Sequence, residues 1–195
     1  RSTTMIDSLY ILKSRIRRDL LSLFFSNPSQ KYYLRELERL LGYSAGSIRR
    51  ELLKFKKDRI FRTEKAGNLL YYYLNMDYPL YEELKSIVSK TIGIEGELKR
   101  ELSRLRNVEV AFIYGSYASG NDTAESDIDV MIIGDPDISV INKKLSRLEK
   151  KLKRDINVSV HSLEEYQKRK KEKRGFIMEL LAQPKIILVG DKDAL

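Results

Sequence analysis

Two apolar runs, residues 108–114 and 128–133, bracket a segment that opens Gly115-Ser116-Tyr117-Ala118-Ser119-Gly120 and closes Ser126-Asp127-Ile128-Asp129-Val130. The first run is apolar apart from Glu109 and rich in β-branched and aromatic residues, which predicts a buried strand delivering Gly115 at its end. The second predicts the neighbouring strand. Side chains alternate along a strand, so Asp127 and Asp129 share one face while Ile128, Val130 and Ile132 point into the core. Two carboxylates held side by side repel unless a cation lies between them. From Asn107 to Asp137 there are seven acidic residues and no Lys or Arg, so the segment must draw its cations from elsewhere.

Magnesium, with manganese as a substitute, suits such a carboxylate pair. Glycine lets the main chain approach phosphate oxygens closely, so backbone N–H groups at Gly115 and Ser116, the Ser116 hydroxyl and Ser126 are candidates to hold a nucleoside triphosphate. Metal on Asp127 and Asp129 would neutralise phosphate charge and align an attacking hydroxyl with departing pyrophosphate. Residues 112–133, Phe-Ile-Tyr-Gly-Ser through Asp-Ile-Asp-Val-Met-Ile-Ile, resemble the signature of the polymerase-beta-like nucleotidyltransferase superfamily, most closely its minimal branch. The resemblance covers roughly residues 107–190. It implies a small α/β domain with a mixed sheet in which Gly115 and Ser116 hold the triphosphate and Asp127 and Asp129 are the catalytic metal ligands.

That superfamily generally carries a third carboxylate on a later strand. The corresponding run here, Ile156-Asn157-Val158-Ser159-Val160-His161, has no acid in its interior. Counting back from Ser162-Leu163-Glu164-Glu165 puts the expected acid at Ser159, with Asn157 and His161 on the same face. Neutral oxygens and one imidazole offer weaker metal ligation.

The chain has 195 residues, 42% hydrophobic and 33% charged, which gives room for two small globular domains. It has no cysteine, which excludes disulfides and thiolate metal sites. No apolar run is long enough to span a bilayer and no signal-peptide pattern is visible, so the expected compartment is cytoplasmic with no membrane partner. The net charge of +9 is localised: residues 1–75 hold 16 Lys and Arg against 7 Asp and Glu, while residues 76–106 and 107–195 each balance.

That basic segment has a helical plan. Ile6 to Phe25 repeats apolar residues at helical spacing and stops at Asn27-Pro28; a second helix is expected from about Tyr33 to Leu41, ending at Gly42. Ser44 is placed to cap a third, with Ile48, Leu52 and Phe55 inward and Ser47, Arg49, Arg50, Lys54 and Lys57 outward. Two strand-like runs, Ile60–Glu64 and Leu69–Leu74, follow around Lys65-Ala66-Gly67-Asn68 and predict a hairpin. Residues 31–75 resemble winged helix-turn-helix repressors. The resemblance implies that Ser44, Ser47, Arg49, Arg50 and Lys54 approach double-stranded DNA, with Arg62, Lys65 and Asn68 on the adjacent backbone or minor groove.

The expected architecture is α+β: an N-terminal winged helix-turn-helix at 1–76, a helical linker at 77–106 broken near Tyr78-Pro79 and Gly93, and a nucleotidyltransferase domain at 107–195. This order resembles prokaryotic fusions of a winged helix to a nucleotidyltransferase domain, regarded as transcriptional regulators. It implies DNA and NTP as partners and a homodimer matched to a palindromic site. The other reading is an active enzyme moving a nucleoside monophosphate from NTP to a hydroxyl of a protein, small molecule or nucleic acid. The run Lys168 to Arg174, six cations in seven residues, reads as an exposed helix face.

Overall fold

A computed structural model describes residues 12–123, 126–172, 180 and 182–191. The chain divides into two compact units, Arg1–Ile94 and Glu95–Leu195. Among the described residues no helix is long and apolar enough to cross a membrane.

The first unit runs α1 (Arg15–Ser26), β1 (Tyr32–Tyr33), α2 (Leu34–Leu41), α3 (Ala45–Lys57), β2 (Phe61–Ala66), β3 (Leu69–Leu74) and α4 (Tyr81–Thr91). Its core forms where the helical stripes meet: Leu20, Leu37, Ile48 and Leu52 are fully buried around Phe24, whose ring packs on Tyr32 and Phe61 at centroid distances of 5.1 and 4.4 Å. The helix expected from Ile6 is described from Arg15 onward; Ile6 and Leu9 lie outside the described residues. Asn27 stops it by donating its side-chain amide to Leu23 O at 3.0 Å.

Two local expectations change. Tyr33, expected to open the second helix, belongs to the two-residue strand β1, which pairs antiparallel with β3 through Tyr32↔Tyr72 and Tyr33↔Tyr71. A strand this short leaves no periodic trace in sequence, and cross-strand tyrosines hold it. Ser44 stands at the N-cap of α3 but its hydroxyl goes to Ser47 Oγ at 3.0 Å; the cap comes from α2, where Glu38 Oε1 accepts Ala45 N–H at 3.0 Å. The Arg35 hydrogen bond and this N–H hold the Glu38 carboxyl below its ordinary range. The hairpin pairs Ala66 with Leu69 across a two-residue turn that Gly67 enters at φ +59°.

Residues 77–106, expected as a linker, divide between the units. Val88 and Ile92 of α4 and its C-terminal end join the first core, and Ser22 Oγ donates to Ile92 O at 2.8 Å. Helix α5 (Ile94–Leu102) opens the second unit.

That unit continues β4 (Val108–Tyr114), α6 (Gly115–Ser119), β5 (Ile128–Gly134), α7 (Ile138–Leu152), β6 (Ile156–His161), α8 (Leu163–Glu172) and β7 (Ile186–Val189). The mixed sheet has the order β6-β5-β4-β7, with β5 and β6 parallel across the α7 crossover and both other pairs antiparallel. Val110, Phe112, Met131 and Ile133 cover one face with Tyr166 of α8 and Leu180. The alternate residues Ala111, Ile113, Val130 and Ile132 are equally buried, as are the apolar stripes of α7 (Ile141, Leu145, Leu148, Leu152) and α5 (Leu98, Leu102). Asp137 caps α7, accepting the Ser139 and Val140 N–H groups.

Candidate functional site

The two aspartates meet where β4, β5 and β6 end together. In register, Asp129 lies between Tyr114 of β4 and Asn157 of β6. Asn157 Nδ2 donates to Asp127 Oδ2 at 2.8 Å, and its amide also stands beside Asp129 in register. A neutral amide therefore stands at the carboxylate pair, bonded to one member and beside the other. Partial burial lifts the Asp129 carboxyl above its ordinary range; the Asn157 amide opposes this, and the neighbouring Asp127 charge adds to it.

Gly115 is required by this packing. It begins α6 at φ +73°, and a Cβ there would stand 2.7 Å from Asp129 Oδ2. Glycine thus seats the carboxylate against the turn while leaving the N–H groups of Gly115 and Ser116 in the first turn of α6, where a helix has no internal acceptor for them. Ser119 Oγ fixes the turn through Gly115 O and Ser116 O, both at 3.0 Å. The Ser126 hydroxyl is engaged within its own loop, accepting Thr123 N–H at 3.0 Å and lying 3.1 Å from Thr123 Oγ1.

The register places Asn157, not Ser159, opposite Asp129. Ser159 pairs in register with Met131 and meets the Tyr114 phenol, whereas Asn157 stands beside Asp129. Burial pushes the Tyr114 phenol up, against the hydrogen bond to Ser159. His161 pairs with Ile133, four residues further along the strand and so about 13 Å from the Asp129 level. Its Nδ1 lies 3.2 Å from Glu165 Oε2, and contact with His161 holds the Glu165 carboxyl below its ordinary range.

Arg154 carries no sequence signature of its own. It is 3% exposed and sends its guanidinium into the loop before β5: Nη2 to Ser126 O at 2.7 Å, Nε to the same oxygen at 3.1 Å, and Nη1 and Nη2 to Asp122 Oδ2 at 3.2 Å. The one hint in the sequence is the acidic stretch 107–137, which lacks any cation of its own. One arrives from the end of α7.

Among the described residues no group of three His, Cys, Asp or Glu side chains gathers as a metal cage. Two carboxylates fit magnesium nonetheless, since that ion commonly takes one or two carboxylates and completes its shell with water and substrate phosphate. Asp127 and Asp129 are the residues that would hold it.

In the first unit, Ser44, Arg49, Arg50, Lys65 and Asn68 are exposed and Ser47 is half-buried. Lys54 bonds Glu51 Oε1 at 2.9 Å, and Arg62 bonds Asp77 Oδ2 at 2.8 Å. Glu51, also bonded by Arg17, is a buried acid on α3 that the inward stripe did not include. Arg49, Arg50 and Lys65 enter no ion pair among the described residues.

Residues 95–182 match the family model described as Nucleotidyltransferase domain. The match falls within the second unit, on the residues that hold the mixed sheet and the strand-end aspartates just described. No curated protein sequence matches the chain. Partial structural likenesses include a toxin–antitoxin complex with AMP-PNP (TM-score 0.37, 16% identity, 51% of this chain and 75% of that one). An MntA-HpeT toxin–antitoxin mutant gives TM-score 0.36 at 16% identity over the same shares. A protein of Sulfolobus solfataricus described as a nucleotidyltransferase gives 0.28 at 17% identity, over 48% of this chain and 74% of that one. Overlaps this partial carry no functional inference.

Proposed function

We propose that this chain is a DNA-binding regulator whose nucleotidyltransferase domain binds a nucleoside triphosphate with magnesium and couples that occupancy to DNA affinity. The observation that carries it is the Asn157 amide on Asp127. Beside Asp129 stands a neutral donor, which holds the carboxylates in place but cannot take a proton from an acceptor hydroxyl. Such a site favours binding over turnover. Asp127 and Asp129 hold the metal, Gly115 and Ser116 face the phosphates, and Ser126 shapes the loop between them. Bound magnesium would supply charge neutralisation for the triphosphate.

The first unit supports the DNA-binding half of the reading. Helix α2, the turn at Gly42, helix α3 and the β2–β3 hairpin follow one another as in a winged helix-turn-helix, with Arg49, Arg50 and Lys54 on exposed positions of α3 and Lys65 and Asn68 at the hairpin tip. A homodimer would match a palindromic operator; a monomeric mass at micromolar concentration argues against it.

Titrating ATP and GTP with magnesium into the wild type and Asp127→Asn/Asp129→Asn tests the first half. Magnesium-dependent binding present only in the wild type supports it, and its absence from both proteins removes it. Duplex DNA affinity measured with and without saturating nucleotide tests the coupling, which requires unequal values. The competing reading, an active transferase, draws on the intact Asp127–Asp129 pair; label transfer from α-labelled NTP to any acceptor would favour it.

A further inference from the structure

On the face of the second sheet away from Asp129, helices α5 and α7 enclose a groove of about 590 Å³. Its walls carry five cations, Arg100, Lys143, Lys144, Arg147 and Lys151, against two carboxylates, Glu97 and Glu101. Both carboxylates are already engaged. Glu97, 3% exposed, takes Lys151 Nζ on Oε1 at 2.9 Å and the Arg100 guanidinium on Oε2. Glu101 takes Lys144 Nζ on Oε2, at 2.5 Å, and has Arg104 at 4.0 Å from Oε1. Lys143 and Arg147 have no ion-pair partner among the described residues.

The arrangement is a ladder. Lys143, Arg147 and Lys151 recur every fourth residue of α7, on one side of the helix and about 6 Å apart along its axis. Like charges at this spacing repel, and with Glu97 offsetting Lys151 alone of the row, Lys143 and Arg147 are left to attract an anion. The buried Glu97 fixes Arg100 and Lys151 in the groove wall and leaves Lys143 and Arg147 unquenched. An ordinary solvated charge run has neither a concave floor nor side chains fixed in this way.

The lining also limits the ligand. It contains no aromatic side chain, so nothing offers a base the stacking platform that single-stranded nucleic acid uses. We infer that the α5–α7 groove is a binding site for a short oligophosphate chain, either inorganic or the tail of a free nucleotide, recognised through its phosphates with no contact that reads the base. The site is independent of the Asp127–Asp129 pair and needs no metal.

The test uses the full chain carrying Asp127→Asn/Asp129→Asn, in EDTA, so that nucleotide binding at the other site is silent. Tripolyphosphate should protect Lys143, Lys144 and Lys151 from acetylation severalfold more than Lys54 and Lys65 of the first unit. Adding Lys143→Ala/Arg147→Ala should weaken tripolyphosphate binding about tenfold or more, with an unchanged melting temperature. ATP matching tripolyphosphate would identify a nucleotide tail as sufficient, whereas tripolyphosphate alone would identify the inorganic chain. Equal protection at Lys54 and Lys65, unchanged affinity in the variant, or a single-stranded oligonucleotide outcompeting both probes would overturn the inference.

Discussion

Two surfaces, one in each unit, handle charge in opposite ways. On α3 and the hairpin, Arg49, Arg50 and Lys65 are exposed and enter no ion pair among the described residues. Around β5 the charges are held: Asp127 by Asn157, Asp129 against the Gly115 seat, and Asp122 by a buried guanidinium. Free cations leave a surface tolerant of single changes and dependent on salt. Held charges make a site in which one substitution disturbs several groups at once. Replacing residues in each unit tests that contrast.

The largest effect is expected at Arg154. Arg154→Met leaves Asp122 without its buried partner and Ser126 O without its donors, and breaking a buried pair from one side costs about 3–5 kcal/mol. Chemical unfolding of the second unit should show that loss, and magnesium–nucleotide binding should go with it. A cost near that of a surface substitution would mean that the loop before β5 stands without its clamp.

Gly115→Ala comes next. A left-handed φ costs a residue bearing Cβ about 1–2 kcal/mol, and the new methyl would also displace Asp129 Oδ2. Nucleotide titration should lose its magnesium dependence while DNA affinity is retained. Retained magnesium-dependent nucleotide binding would show that the Asp129 seat is dispensable.

Asn157→Asp sharpens the contrast by exchanging the amide that bonds Asp127 for a third charge. Losing the donor and adding repulsion should lower metal-free stability by about 1–3 kcal/mol. Magnesium should then raise the melting temperature more than in the wild type. An equal magnesium response in both proteins would show that Asn157 does not stand at the metal position.

What was legible in sequence were features carried by local spacing. Alternation along β5 put Asp127 and Asp129 on one face, and helical stripes placed Ile48, Leu52 and Phe55 in the first core. What was not legible depends on register and reach between distant segments. Asn157 rather than Ser159 lies beside Asp129 because of the parallel β5–β6 pairing. Glu38 reaches seven residues along the chain to cap α3, and Arg154 reaches 28 residues back to Ser126. A two-residue strand such as β1 has too few residues to show any period.

In the first unit the comparison predicts effects on binding rather than on folding. Arg49→Ala/Arg50→Ala removes two exposed cations, so stability should stay within about 0.5 kcal/mol of the wild type. DNA affinity should fall, and the slope of log affinity against log salt should shrink by roughly 0.9 for each phosphate no longer neutralised. An unchanged slope would remove α3 from the DNA interface.

The smallest effect separates a held carboxylate from a free one by its pH dependence. Hydrogen bonding from Lys144 keeps the Glu101 carboxyl below its ordinary value near 4.5, against partial desolvation. A depressed carboxyl stabilises the fold when ionised, so this contribution is fully present above the unfolded value and fades as pH falls through the lower, folded one. Glu101→Gln should therefore cost about 0.5 kcal/mol at neutral pH, the scale of a partly exposed ion pair. The gap between variant and wild type should close on acidification below the ordinary carboxylate range. A gap that persists at acid pH would mean that Glu101 acts through packing of its methylene groups against α7, and that the Lys144 ion pair adds no charge-dependent stability.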